Sequence, residues 1–119
     1  MSMADLVTQS SLISQYLSAR VAEQNIRSAN IANLDTPQYK AKVPEFETLL
    51  KNNVNGEKEW SIDMKVGVSQ ETAREDGNNV QLEKEMGALA ENQVLFQSAL
   101  KILNKNLAFT RYAVTGQFN

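Results

Sequence analysis

In the first third of the chain, apolar residues fall on two lines of a helix. At about 100° per residue, Leu6, Ile13, Leu17, Val21 and Ile31 line up on one side, while Leu12, Tyr16, Ala19, Ala22, Ile26 and Ala29 gather nearly opposite. Ser11, Ser14, Ser18 and Asn25 separate the two lines on one strip, and Gln9, Arg20, Glu23 and Arg27 on the other. This predicts one long helix over about residues 3–34. Only Asp5, Arg20, Glu23 and Arg27 are charged before Asp35, so the helix is not expected to face water over much of its surface.

A second long helix is predicted over about residues 79–114, with Asn78 or Asn79 as its cap and Glu83 and Glu85 at the positive end of its dipole. Leu82, Met86, Leu89, Gln93, Phe96, Leu100, Leu103 and Leu107, continuing to Val114, follow alternating steps of four and three. This is a coiled-coil seam interrupted once, by Gln93. Ala88, Leu95, Ile102 and Phe109 form a further line repeating every seven residues. This helix, too, has two apolar lines.

Between the helices, about residues 35–78 read differently. Pro37 removes a backbone donor and pushes Thr36 out of the helical region, so the first helix must end and the chain must turn. Asn33 and Asp35 suit that ending. Residues 44–52 are expected to form a short helix, with Pro44 in its first turn and Phe46, Leu49 and Leu50 on one side. Residues 52–59, which contain Asn-Gly, are a loop. Trp60, Ile62, Met64, Val66 and Val68 then alternate with Ser61, Asp63, Lys65, Gly67 and Ser69, the pattern of a half-buried strand. That strand needs a pairing partner from this chain or another subunit. Residues 70–79 are polar and read as flexible. The predicted class is a mainly α single domain over residues 1–119: a coiled-coil pair of terminal helices joined by a short, partly β, partly flexible middle.

Composition narrows the function. With 119 residues, a net charge of -2 and a pI near 5.1, the chain lacks the basic character of a nucleic-acid binder. It has no cysteine and no histidine, so thiol nucleophiles, imidazole bases and the usual zinc ligands are absent. Glu83 with Glu85, or Glu71 with Glu75, are carboxylate pairs of an ordinary kind with nothing to position a substrate. No enzyme, cofactor or metal site is expected. The N-terminus lacks a basic start and a continuous apolar run, so no cleaved signal peptide is expected. No apolar run approaches the roughly 20 residues of a membrane span. Arg20 and Arg27 are too few for a membrane-surface helix.

Two helices packed against each other would each keep a second apolar line uncovered, and the middle segment is too short and polar to cover both. Self-association is therefore expected, with terminal helices that are poorly ordered in the monomer and fold on assembly. Asn25, Asn30, Asn33, Gln93, Asn104 and Asn106 lie in or beside the lines, where a buried amide fixes register. Gln93 is the strongest single candidate, and its replacement by Leu is expected to strengthen association while loosening register.

The segment N-I-A-N-L-D-T-P-Q-Y-K-A-K, residues 30–42, resembles the N-terminal signature of the bacterial flagellar axial family of rod and hook proteins. D-G-N-N-V-Q-L-E-K-E-M, residues 76–86, and L-A-E-N-Q, residues 89–93, resemble the entry to that family's C-terminal helix. One departure is Gln38, where the family usually has glycine, so a different turn after Pro37 is expected. Other axial proteins of the family carry large domains between the terminal helices; the insertion here is only about 40 residues, which favours the proximal rod of the flagellar basal body.

The resemblance implies a structural subunit that self-assembles through its terminal helices into a periplasmic rod, transmits torque and surrounds the export channel. Implied partners are itself, other flagellar rod proteins, the adaptor and ring proteins at the inner membrane, and the flagellar type III export apparatus. The candidate assembly-interface residues are Leu12, Tyr16, Ile26, Asn30, Asn33, Asp35, Thr36, Pro37, Tyr39, Leu89, Gln93, Phe96, Leu100, Leu103 and Leu107. Alternatives are another small axial rod protein and a monomeric coiled-coil export adaptor or chaperone.

Overall fold

The computed structural model describes residues 2–116. Helix α1 spans Met3–Ala32, β1 Lys42–Asn52, β2 Lys58–Val68, and helix α2 Leu82–Thr115. Ser2 opens α1 with a reciprocal cap: its hydroxyl accepts the Asp5 N–H at 3.2 Å, and the Asp5 carboxylate accepts the Ser2 N–H at 3.1 Å. The backbone N–H of Ser2 is the main reason the Asp5 carboxyl sits below its ordinary pKa, with the Ser2 hydroxyl second. At the other end Asn33 caps α1, and the chain turns through Leu34 and Asp35, close to the expected end.

The strand expected from Trp60 forms as β2, and its partner comes from within the chain. The short helix expected over 44–52 does not form. That stretch is β1, paired antiparallel with β2 along its whole length from Lys42↔Val68 to Asn52↔Lys58. Pro44, Phe46, Thr48 and Leu50 alternate along β1 and lie opposite Val66, Met64, Ile62 and Trp60, so pairing gathers one apolar face. A helix would have gained only three apolar neighbours. The hairpin loop is held by Asn53, whose N–H donates to Glu57 O at 2.8 Å while its side chain accepts the N–H groups of Asn55 and Glu57. Gly56 supplies the positive φ of 77° that the loop requires.

Helix α2 begins three residues later than expected. Gln81 occupies its N-cap without a side-chain bond, and neither Asn78 nor Asn79 caps it; both are committed elsewhere. Glu83 and Glu85 do fall in its first turn. Gly116, in the left-handed region at φ 72°, takes the C-cap position.

The two helices pack antiparallel, as the contacts Gln9–Asn106, Arg20–Asn92 and Arg27–Glu85 show. The hairpin leans on α1, and among the described elements α2 touches only α1. The result is a slab of 63 × 36 × 15 Å, one helix thick where α2 lies. What the pair buries is mostly polar: Leu6, Ala19, Glu23 and Asn30 from α1, and Glu85, Asn92, Ala99 and Asn106 from α2. The four from α2 are spaced by seven, a heptad seam rotated away from the leucine line.

Candidate assembly surfaces and the polar latch that orients them

Where the helix ends meet, three asparagines hold the chain together. Asn30, Asn78 and Asn79 are 0, 0 and 2% exposed, and Val80 beside them is fully buried. The Asn30 side chain pairs with Lys42 as a strand would, accepting its N–H at 2.9 Å and donating to its carbonyl at 2.8 Å. Tyr39 donates its hydroxyl to the same Asn30 oxygen at 3.1 Å. Asn79 accepts the Ala41 N–H at 2.6 Å and donates to Ser69 O and Glu71 O, both at 3.1 Å. Asn78 donates to Asn33 O and Thr36 O, both at 2.8 Å, while its oxygen accepts the Val80 N–H.

Arg74 completes the latch by donating to Val80 O at 2.7 Å and Leu34 O at 2.6 Å. Each amide offers donor and acceptor together, so one side chain satisfies both kinds of backbone group in a segment without regular structure. The polar run 70–79, expected to be flexible, thus ends in the most buried residues of the molecule.

The turn beneath the latch explains Gln38. Tyr39 N–H donates to Thr36 O at 3.3 Å, with Pro37 at the second position and Gln38 at the third, where φ is 63°. A proline followed by a positive φ is the type II arrangement, which favours glycine. Gln38 therefore takes the backbone a glycine would, with strain, and no different turn is needed. Its N–H also donates to Asp76 O at 2.9 Å, and its side chain fills the space where a Cβ on Gly77 would lie.

Within the seam, Arg20 meets Glu23 at 2.9 Å, and Arg27 bridges Glu23 at 3.5 Å and Glu85 at 3.3 Å. Two positive and two negative side chains, all nearly buried, balance across the interface between the helices. Arg20 also lies over the rings of Phe46 at 4.5 Å and Tyr16 at 5.1 Å, tying the hairpin to α1. Asn92 donates to Arg20 O at 2.8 Å. Burial raises the pKa of the Tyr39 hydroxyl, and the Glu85 charge raises it further.

The residues singled out from sequence separate into two sets. Asn30, Asn33, Thr36 and Tyr39 belong to the latch, with Asp35 and Pro37 exposed on its turn. Leu12, Tyr16 and Ile26 are half-buried on α1. On α2 the leucine line divides into columns: Leu89, Phe96 and Leu103 are half-buried at the rim of the pair. Gln93 is exposed, as are Met86 (57%), Leu100 (39%), Leu107 (47%) and Val114 (72%) in the same column. Ile102 and Phe109, on the second line, are also exposed.

Gln93 thus lies on the outer face. The amide at the centre of the inner seam is its neighbour Asn92, which sequence reasoning missed. Asn78, Asn79, Arg74 and Val80 were missed as well; the signal available was the run Asn78-Asn79-Val80 immediately before a helix that does not use either amide as its cap. Among the described residues no group of acidic or other ligating side chains is placed to hold a metal ion, and no helix is long and apolar enough to cross a membrane.

The fold is a flat pair of long helices with a polar latch between their joined ends and apolar columns facing outward, and the chain belongs to the flagellar basal body rod protein family. Residues 17–40, from the middle of α1 through Tyr39, match the family model described as flagella basal body rod protein. The relatives are of the FlgB type. The flagellar basal body rod protein FlgB of Bacillus subtilis (strain 168) is 30% identical over 113 residues, covering 84% of this chain and 88% of the relative. The FlgB of Salmonella typhimurium is 29% identical, covering 76% of this chain and 81% of the relative. That of Cereibacter sphaeroides (strain ATCC 17029 / ATH 2.4.9) is 28% identical, covering 87% and 91%. The chain is accordingly a structural component of the flagellar basal body rod and not an enzyme.

Proposed function

We propose that this chain, as a single domain over residues 1–119, self-assembles through its terminal helices into the proximal rod. The observation that carries this is the inversion of α2: its inner seam holds Glu85, Asn92, Ala99 and Asn106, while Met86, Leu100, Leu107 and Val114 face outward. A helix with this distribution gains little from its own partner and much from a neighbouring subunit. Leu12, Tyr16 and Ile26 on α1, with Leu89, Gln93, Phe96, Leu100, Leu103 and Leu107 on α2, supply the packing surface. The turn of Asn33, Asp35, Thr36, Pro37 and Tyr39, anchored by Asn30, fixes the angle at which neighbours meet.

Because the intrachain seam is polar, the terminal helices complete their ordering when neighbours cover them. The assembled wall transmits torque and surrounds the export channel. Its further neighbours are other rod proteins and the adaptor and ring proteins at the inner membrane. The chain leaves the cytoplasm through the type III export apparatus.

The test is deletion of the gene with complementation, imaged by electron microscopy of basal bodies. Inner-membrane rings without rods or hooks are expected. Complete rods in the deletion strain would overturn the assignment and favour a dispensable export adaptor.

A further inference from the structure

In an antiparallel pair, successive residues point their backbone groups alternately into the ladder and out of it. Ser69 N–H donates to Ala41 O at 2.8 Å and Asn53 N–H to Glu57 O at 2.8 Å, so the odd-numbered residues of the hairpin face inward. The even-numbered ones face outward. Lys42 and Ile62 confirm this, because their N–H groups are taken by side chains of α1, Asn30 at 2.9 Å and Gln15 at 3.0 Å. Helix α1 therefore crosses the hairpin obliquely, covering the outer edge of β1 at its base and that of β2 further along.

The far edge of β1 is left uncovered. Pro44 has no N–H to offer there. Phe46, Thr48, Leu50 and Asn52 then present a row of outward N–H and C=O groups, all four residues are exposed, and no bond from these groups to another part of the molecule is found among the described residues.

We propose that this edge pairs antiparallel with the same edge of a second copy of the chain, joining two hairpins into a four-stranded sheet. The sequence is self-complementary about Leu49. With the two-fold axis there, Phe46 faces Asn52 of the second copy and Thr48 faces Leu50, so every outward group from 46 to 52 finds a partner and Pro44 stays outside the ladder. Glu47 then faces Lys51 of the second copy, twice by symmetry. Within each hairpin Glu47 already meets Lys65 at 3.9 Å, and Lys51 meets Asp63 at 2.9 Å. The joined sheet thus carries charges alternating Lys65, Glu47, then Lys51 and Asp63 of the second copy.

Neighbouring registers are worse. An axis at Thr48 sets Pro44 opposite Asn52, and an axis at Glu47 sets that carboxylate against itself. The pair is isologous and closes on itself, and it rests on the hairpin edge alone, independent of the helix faces.

The chain has no cysteine, so single cysteines report the pairing. Leu49→Cys places two thiols at a non-hydrogen-bonded pair on the axis, with Cα atoms about 4.5 Å apart, within disulfide reach. Under mild oxidation of the full chain, covalent dimer is expected roughly tenfold faster than for Val54→Cys, which is fully exposed at the loop tip but does not face itself. Adding Thr48→Pro, which removes an outward donor and no inner one, is expected to abolish that advantage. Equal rates at 49 and 54 would overturn the proposal. Should Thr48→Pro disturb the hairpin, charge reversal decides: Glu47→Lys is expected to slow cross-linking roughly tenfold and Glu47→Lys with Lys51→Glu to restore it. Failure of the double reversal to restore the rate, in a chain with unchanged circular dichroism, would equally overturn it.

Discussion

Gln38 and Tyr39 stand side by side and store opposite things. Gln38 holds a left-handed backbone at φ 63°, which costs a residue with a Cβ about 1–2 kcal/mol. Glycine removes that strain but adds about 0.5–1 kcal/mol of unfolded-chain entropy. Gln38→Gly is therefore expected to stabilise the chain by up to about 1 kcal/mol, read as a higher urea midpoint with an unchanged slope. A lower midpoint would mean that contacts of the side chain beside Gly77 outweigh the strain.

Tyr39 holds a neutral hydroxyl against Asn30, and its raised pKa sets a sign. The unfolded chain ionises this group first, near pH 10, so the stability it contributes is complete below that pH and is lost as pH rises through the folded value. Tyr39→Phe should flatten this part of the alkaline decline of stability, followed as the urea midpoint against pH. An unaltered decline would remove Tyr39 from the account.

Among the elements, the latch governs how α1, the hairpin and α2 are set against each other. Asn79 alone satisfies one N–H and two carbonyls from two different segments, the one before β1 and the one after β2. Asn79→Ala leaves the buried Ala41 N–H and the part-buried Ser69 and Glu71 carbonyls without this partner and is expected to cost about 2–4 kcal/mol. Asn55→Ala, at the exposed hairpin loop, should cost well under that; similar urea midpoints for the two would contradict the latch.

The elements also show what the sequence made readable. Both helices were legible because a 3.6-residue period persists over more than 25 residues, and β2 because its alternation is unbroken. β1 was not, since Pro44, Phe46, Leu49 and Leu50 satisfy a helical reading equally well, and only pairing with β2 decides between them. The same holds for the site: the Pro37 turn is local and could be read, whereas Asn78 and Asn79 act on backbone groups about 10 to 45 residues away. Nor does helical periodicity say which apolar line faces the partner helix; here the answer is neither, because Glu23, Glu85 and Arg27 find one another across the seam.

At the scale of the whole molecule, a slab 15 Å thick has few interior positions, and its largest apolar surfaces look outward. If those surfaces exist for neighbours, substitutions there should separate stability from assembly. Leu100 and Leu107 are 39 and 47% exposed on the outer column of α2, so Leu100→Glu with Leu107→Glu is expected to change the stability of the isolated chain by no more than about 0.5 kcal/mol per site. The same pair places four carboxylates' worth of repulsion across any contact between two such columns, and complementation of the deletion strain should fail, with rings but no rods in micrographs.

Ala99, 7% exposed on the inner seam one residue before Leu100, gives the opposite control. Ala99→Glu buries an unpaired charge between the helices and should destabilise the isolated chain by several kcal/mol while also preventing assembly. Stable chain without rods for the outer pair, and unstable chain for the inner one, is the outcome that assigns the two faces of α2 to different partners. Normal rods from the outer pair would show that neighbours meet this subunit elsewhere, and would leave the α2 leucine column without a role in the rod wall.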